Sequence, residues 1–168
     1  QLAVLPPQIT ISVVSHAQGR LVGQFLDDVR TYCAGRLEVI VTVNIAETLP
    51  FAASDYPFPV RVVENDVVRG FAANHNRAFR LAAGDYFLVA NPDLRLTHDP
   101  LPALIKVLDD RDVGVVGPLV VNSSGDLEAS ARRFPTPTSI VRKVLAWRPL
   151  HDYAQPTAQF EPDWIAGT

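Results

Sequence analysis

The strongest constraint in this sequence is a rhythm. Short runs of strand-forming residues alternate with stretches of helical apolar spacing, and the runs stop on polar residues. The runs are "QITISVVS" (8–15), "LEVIVTV" (37–43), "VRVVEN" (60–65), "DYFLVA" (85–90) and "VGVVGPLVV" (113–121). Between the first two, Leu21, Val22, Phe25, Leu26, Val29 and Cys33 recur at helical spacing, up to Gly35. A second helix is expected from about Gly70 to Ala83, with Phe71, Ala78, Phe79 and Ala82 on one stripe. Gly84 would end it as a left-handed stop. "DPLPALIKVLDD" (99–110) reads as a third helix, capped by Asp99 with proline at its first position. "NSSGD" (122–126) is a tight turn, and "TSIVRKVLAW" (138–147) is a last helix.

Strand–helix–strand alternation with short connections implies an α/β sandwich with a largely parallel central sheet flanked by helices. The fourth run is apolar throughout and is expected to be buried on both faces. Its C-terminal end is unusual: "FLVANPDLRL" passes from strand to Asn91-Pro92-Asp93 without a break. Pro92 cannot continue a ladder and biases Asn91 toward extended backbone. The carboxylate of Asp93 is therefore expected just beyond the mouth of a buried strand.

Composition narrows the partners. The chain has 168 residues, 48% hydrophobic and 20% charged, with a net charge of −3 and no polybasic run. That suits one soluble globular domain and argues against a nucleic-acid partner. The single cysteine, Cys33, reads as a small core residue in a reducing compartment. No stretch reaches the roughly 20 apolar residues of a membrane span, and nothing resembles a signal peptide. The chain starts at Gln1 and contains no methionine. A segment of a longer protein is therefore expected.

In parallel sheets, ligands collect at the carboxyl ends of the strands. Those ends carry Ser15-His16, Asn44 with Glu47, Asn65-Asp66, and Asn91-Pro92-Asp93. The chain has no G-x-G-x-x-G after its first strand, no phosphate-cradling P-loop and no G-x-S-x-G elbow. Its four histidines lack metal-ligand spacing. What remains is a well-placed carboxylate among several amides. Such a set suits Mg²⁺ or Mn²⁺ held jointly by protein and substrate phosphate, where the cation neutralises a departing diphosphate.

Several segments then resemble one family. "ITISVVSH", "GFAANHNRAFRLAAGDYFLVANPD", "DVGVVGPLVVNSSGDLEASARRFPTPTS" and "PDWIAG" are similar, in order and spacing, to family 2 glycosyltransferases of the GT-A fold. The resemblance is particularly to bacterial rhamnosyltransferase-like members. The resemblance implies a nucleotide-diphospho-sugar-binding domain over 1–168, the N-terminal part of a longer glycosyltransferase. It implies transfer of a sugar, with inversion, from a UDP- or dTDP-linked donor to a saccharide or lipid-linked acceptor. The implied setting is bacterial surface polysaccharide assembly, in the cytoplasm or at the inner face of the membrane with peripheral association. Ser15, His16, Asn44, Glu47, Asn65, Gly70, Asn76 and Asn91 are the residues expected to bind the donor. Asp93 would hold Mg²⁺ or Mn²⁺.

The departures matter as much. The family's Asp-x-Asp reads Asn91-Pro92-Asp93 here, so one acid inherits the metal. Many relatives end their second strand in Asp-Asn, whereas this chain reads "VTVNIAET", with Asn44 and Glu47 as the candidate substitutes. No Glu-Asp pair occurs to serve as the acceptor-side base, so the catalytic base is unassigned. Bland alternatives stand beside these roles. Asp93 would equally cap a turn, Asn74 and Asn76 would satisfy a helix start, His75 would be exposed, and Arg69 would be solvated rather than a diphosphate clamp. Arg132-Arg133, on a loop over the sheet edge, would be solvated rather than contact phosphate or acceptor, and Trp164 would be core rather than a sugar platform. Two other functions remain open: a non-catalytic nucleotide-sugar-binding or regulatory domain, and a sugar nucleotidyltransferase on a related fold.

Overall fold

A computed structural model of the chain describes residues 8–126, 128, 131–138, 140, 145 and 160–165. It separates into two compact units, Gln1–Leu101 and Pro102–Thr168.

The first unit is built on four parallel strands: β1 (Ile9–His16), β2 (Leu37–Ile45), β3 (Val60–Glu64) and β4 (Tyr86–Ala90). Their order is β3-β2-β1-β4. Ile9 lies opposite Leu37 on one side and Tyr86 on the other. The first crossover moves outward from β1, through α1 (Gly19–Tyr32), to β2. The crossover through α2 (Phe71–Phe79) returns past β1 to β4. The direction of travel reverses between β1 and β4, which makes their carboxyl ends the topological switch point where open α/β sheets form crevices.

The β-branched centre of the sheet is buried. Ile11, Val13, Val39, Ile40 and Val41 are all fully buried, as are Val22, Phe25, Leu26 and Val29 on α1. Each such side chain contributes roughly 1.5–3 kcal/mol of apolar burial. The apolar spacing read from the sequence for α1 is therefore the face that meets the sheet.

The second helix differs from expectation. It ends at Phe79, and Phe71 and Phe79 are exposed, while Asn74, His75 and Ala78 are buried. The helix thus buries polar side chains: His75 Nδ1 lies 2.8 Å from Ser12 Oγ on β1, while its Nε2 is buried without a hydrogen-bond partner among the described residues. The expectation of an exposed His75 is corrected by that bond. Burial pushes its imidazole below the ordinary value.

Gly84 also has a different role from the one expected. Its backbone is not left-handed. A Cβ there would lie 2.6 Å from Thr10 N and 2.7 Å from Ile9 C, both backbone atoms. Glycine is needed because the chain presses onto β1 as it enters β4. A network fastens the same spot: Thr10 Oγ1 donates to Glu38 Oε1 at 2.6 Å, Ala83 N donates to the same oxygen at 2.8 Å, and Gly84 N donates to Thr10 Oγ1.

The fourth strand is less buried than its apolar sequence suggests. Only Ala90 is buried, and Val89 is 45% exposed. Among the described residues β4 pairs on one side alone, with β1. An apolar sequence reports what a strand can bury, and neighbours decide what it does bury.

The α3 helix (Leu101–Leu108) begins where expected, with Asp99 Oδ1 accepting from Leu101 N at 3.0 Å. In the second unit, 113–120 forms no strand, contrary to expectation. Gly114, Gly117 and Pro118 interrupt it, and glycine weakens a ladder while proline blocks it. Residues 122–126 do make a tight turn, with Gly125 at φ 84° and its N–H donating to Asn122 O. Two short strands, β5 (Ala131–Arg132) and β6 (Trp164–Ile165), pair antiparallel. Most of the expected last helix at 138–147 lies outside the described residues.

Candidate donor-binding site

All four parallel strands deliver their carboxyl ends to one edge, and the residues there fall into two groups. The first is a network of amides centred on Asn44, at the end of β2. Asn44 Nδ2 lies 2.9 Å from His16 Nδ1 and donates to Arg69 O at 2.9 Å. Asn44 Oδ1 accepts from Asn65 Nδ2 and Arg69 N, each at 2.8 Å. Asn65 Nδ2 also donates to Asn74 Oδ1 at 2.7 Å, and Asn74 Nδ2 returns to Arg69 O at 3.2 Å. Arg77 closes the network by donating to Asn65 Oδ1 and Glu64 O.

Every hydrogen-bonding position of the buried Asn44 side chain is engaged within the protein. Its amide ties the end of β1, the end of β3 and the β3–α2 loop into one piece. The loop then presents Val67, Val68 and Arg69 outward, all exposed. Gly70 sits at the start of α2 with open space where a Cβ would be. Asn76 is exposed and lies outside the network, one residue past the buried His75.

The second group fastens the β1–α1 turn. Ser15 Oγ is fully buried; it donates to Glu47 Oε1 and accepts from Gln18 N at 3.1 Å. Glu47 Oε2 accepts from Gly19 N at 2.9 Å. Glu47 thereby supplies the carboxylate that the positive N-terminal end of α1 favours. Gly19 is small because a Cβ would meet Glu47 Oε2 at 2.8 Å. Between the two groups, Ala17 takes a left-handed φ of 58°, which turns the chain away immediately after the exposed His16.

Asn91 and Asp93 follow β4 across the switch point. Leu94 N donates to Asn91 O at 3.3 Å, closing a turn with Pro92 and the exposed Asp93 at its tip. A clamp that the sequence did not announce holds this turn. Arg95 donates to both oxygens of Asp28, at 2.6 and 2.9 Å, and Leu96 N adds a third bond at 3.0 Å. Asp28 is buried on α1, and the bond from Arg95 holds its carboxyl below the usual range. Cys33 is no nucleophile in this setting: burial and then the charge of Asp99 push its thiol up to about 12.

The family model for glycosyl transferase family 2 matches residues 10–165, nearly the whole chain. The chain belongs to glycosyl transferase family 2. Among solved structures, this family member is similar to the mannosyltransferase PcManGT from Pyrobaculum calidifontis, described in complex with GDP-Man and Mn²⁺. The TM-score is 0.62 and the identity 26%, over 71% of this chain and 37% of that one. TarS (1-349) from S. aureus shares the fold at TM-score 0.54 and 15% identity, over 69% of this chain and 39% of that one. The glycosyltransferase-family chain thus spans well under half the length of these structures. No curated protein matches it. Its four-stranded parallel sheet flanked by helices is the α/β architecture of these neighbours.

Among the described residues of this domain, no group of three or more His, Cys, Asp or Glu side chains could hold an ion by itself. The exposed carboxylate of Asp93 fits a different arrangement, in which one protein oxygen shares a hard cation with ligand oxygens and water. None of the described helices is long and apolar enough to cross a membrane.

Proposed function

We propose that the chain is the donor-binding part of a glycosyltransferase that uses a nucleotide-diphospho-sugar. The observation that carries this reading is the meeting of Ser15-His16 and Asn91-Pro92-Asp93 at the β1/β4 switch point, in a chain of this family. Open α/β sheets bind nucleotides at that location. Asp93 is the residue that would hold Mg²⁺ or Mn²⁺ together with the donor's phosphates, and the Mn²⁺ in the mannosyltransferase neighbour supports this. When bound, the cation offsets charge that develops on the leaving diphosphate.

The chain's own residues hold the donor. His16 and the β3–α2 loop carrying Arg69 line the nucleotide side, Asn91 offers an amide beside Asp93, and Gly70 leaves room for close approach. Asn44, Glu47 and Asn65 contribute by fixing these parts. Asn76 is the most peripheral of the donor-site residues. The transfer inverts the sugar's anomeric centre, and the acceptor is a saccharide or a lipid-linked molecule in bacterial surface polysaccharide assembly, on the cytoplasmic side. The family resemblance goes with a UDP- or dTDP-linked donor, while the mannosyltransferase neighbour favours a GDP-linked one.

Isothermal titration with UDP, dTDP and GDP, each with Mn²⁺ and with EDTA, tests this reading. One nucleotide is expected to bind, and EDTA or Asp93→Ala should weaken it by tenfold or more. Equal affinity in EDTA would remove the metal role. No affinity for any of the three would overturn the reading itself.

A further inference from the structure

The network around Asn44 determines where a proton sits on His16. An asparagine amide can be built two ways round, but here the backbone of Arg69 decides between them. Arg69 N–H can only donate, so the atom 2.8 Å from it must be Asn44 oxygen. Arg69 C=O can only accept, so the atom 2.9 Å from it must be Asn44 nitrogen. That same nitrogen lies 2.9 Å from His16 Nδ1. It has one hydrogen left after serving Arg69 O, and it points that hydrogen at His16. A neutral imidazole meeting an N–H through Nδ1 must accept there and carry its proton on Nε2.

The rest of the network agrees with this direction. Asn65 Nδ2 must donate to the Asn44 oxygen and to Asn74 Oδ1, which leaves Asn65 Oδ1 to accept from Arg77, a group that can only donate. Two independent anchors, the Arg69 backbone and the Arg77 guanidinium, therefore impose the same polarity. Asn44 is 4% exposed, whereas His16 is exposed at the ligand edge with Nε2 across the ring from the tethered Nδ1.

We propose that Asn44 is a positioning residue that locks His16 in its Nε2–H form, so that the ring presents a fixed hydrogen-bond donor to an acceptor oxygen of the bound nucleotide. The inference rests on the donor-binding reading above for the identity of the ligand. The tautomer itself does not depend on that reading. A ring free to exchange tautomers would offer its lone pair as often as its N–H. The lock removes that choice before the ligand arrives, which is the advantage of a preorganised donor.

The test is nitrogen-15 NMR of the four histidines in the 168-residue chain, at about pH 8 where imidazoles are neutral. His16 is expected to show the Nε2–H pattern without ligand. In Asn44→Asp a carboxylate oxygen replaces the donating nitrogen, and the pattern should move toward Nδ1–H. A His16 spectrum of averaged or Nδ1–H type in the wild-type chain would overturn the proposal, whatever the variant does. UDP, dTDP, GDP and pyrophosphate are then added with Mg²⁺. A shift at His16 Nε2 with nucleotide is the expected result, and a shift with pyrophosphate as well assigns the oxygen to phosphate. Nucleotide binding that leaves Nε2 unmoved would overturn the donor role while leaving the function reading intact. Absence of any nucleotide binding would overturn the function reading and the donor role, while the ligand-free spectrum would still decide the lock. Side-chain replacement gives a second readout. Glutamine keeps an N–H near Nε2 and asparagine keeps one only near Nδ1, so His16→Asn should bind nucleotide about tenfold more weakly than His16→Gln. Equal weakening by both would count against a directed donor.

Discussion

Asp28 sits twelve residues beyond His16 on α1 and holds the segment that follows Asp93. Its three bonds to Arg95 and Leu96 fix the turn that carries the candidate metal ligand. Asp28→Asn is expected to lower stability at pH 7 by on the order of 1–3 kcal/mol, as measured by urea denaturation. The pH sign follows from the depressed folded-state value. The carboxylate's contribution is complete above its ordinary value of 3.8 and is lost as pH falls through the lower folded value. The gap between wild type and variant should therefore narrow only in acid. Gly84→Ala belongs to the same scale. Its new Cβ would overlap the backbone of Ile9 and Thr10, so a loss of about 1–3 kcal/mol or more is expected in thermal denaturation. Neither role was legible in the sequence. Gly84 looked like a helix stop because close approach and left-handed backbone both call for glycine. Asp28 and Arg95 lie 67 positions apart, and no local pattern links them.

The second helix shows why an element is harder to read than a residue. Its apolar stripe suggested a buried phenylalanine face, and the structure buries Asn74, His75 and Ala78 instead. Polar burial is tolerated because Ser12, Asn65 and Arg69 supply partners from elsewhere in the chain. Phe71 is left to stack edge-on against His75, with ring centroids 4.4 Å apart. His75→Phe should lower stability at pH 7 by on the order of 1–3 kcal/mol, because Ser12 Oγ loses its partner in a buried site. It should also change the pH profile. Burial lowers the folded-state value of His75, so its contribution is full above its ordinary value of 6.5 and declines as pH falls toward the folded value. The thermal midpoint of the wild-type chain is expected to drop between about pH 7 and 5, and the drop should be shallower in the variant. The first helix was more legible: Val22, Phe25, Leu26 and Val29 of its expected stripe are buried. Leu21 and Cys33, the latter just past the helix end, are half-buried, and Asp28 is buried without any apolar signal.

At the scale of the whole molecule, strand–helix alternation was enough to expect the parallel sheet and the edge where the polar strand ends gather. It was not enough to place 113–121, whose glycines and proline defeat a β-branched composition. The site divides in the same way. Its location follows from topology, while the amide network that organises it depends on the meeting of β1, β2, β3 and α2. The two titrating groups predict the stability of the entire chain against pH. Stability should be highest near neutrality, fall first through His75 and fall again below about pH 4 through Asp28. Circular dichroism melts from pH 3 to 8 check the order of the two losses.

The pairing of Ile9 with Tyr86 also has a consequence in time. Nearly half the chain lies between these neighbours, and a growing polypeptide makes one long before the other. At roughly 5–20 residues per second, β1 waits on the order of several seconds for β4 during synthesis. The strand that will lie at the centre of the sheet spends that interval with one side unclaimed. Birth order thus exposes a central strand of the sheet first and completes its shelter last.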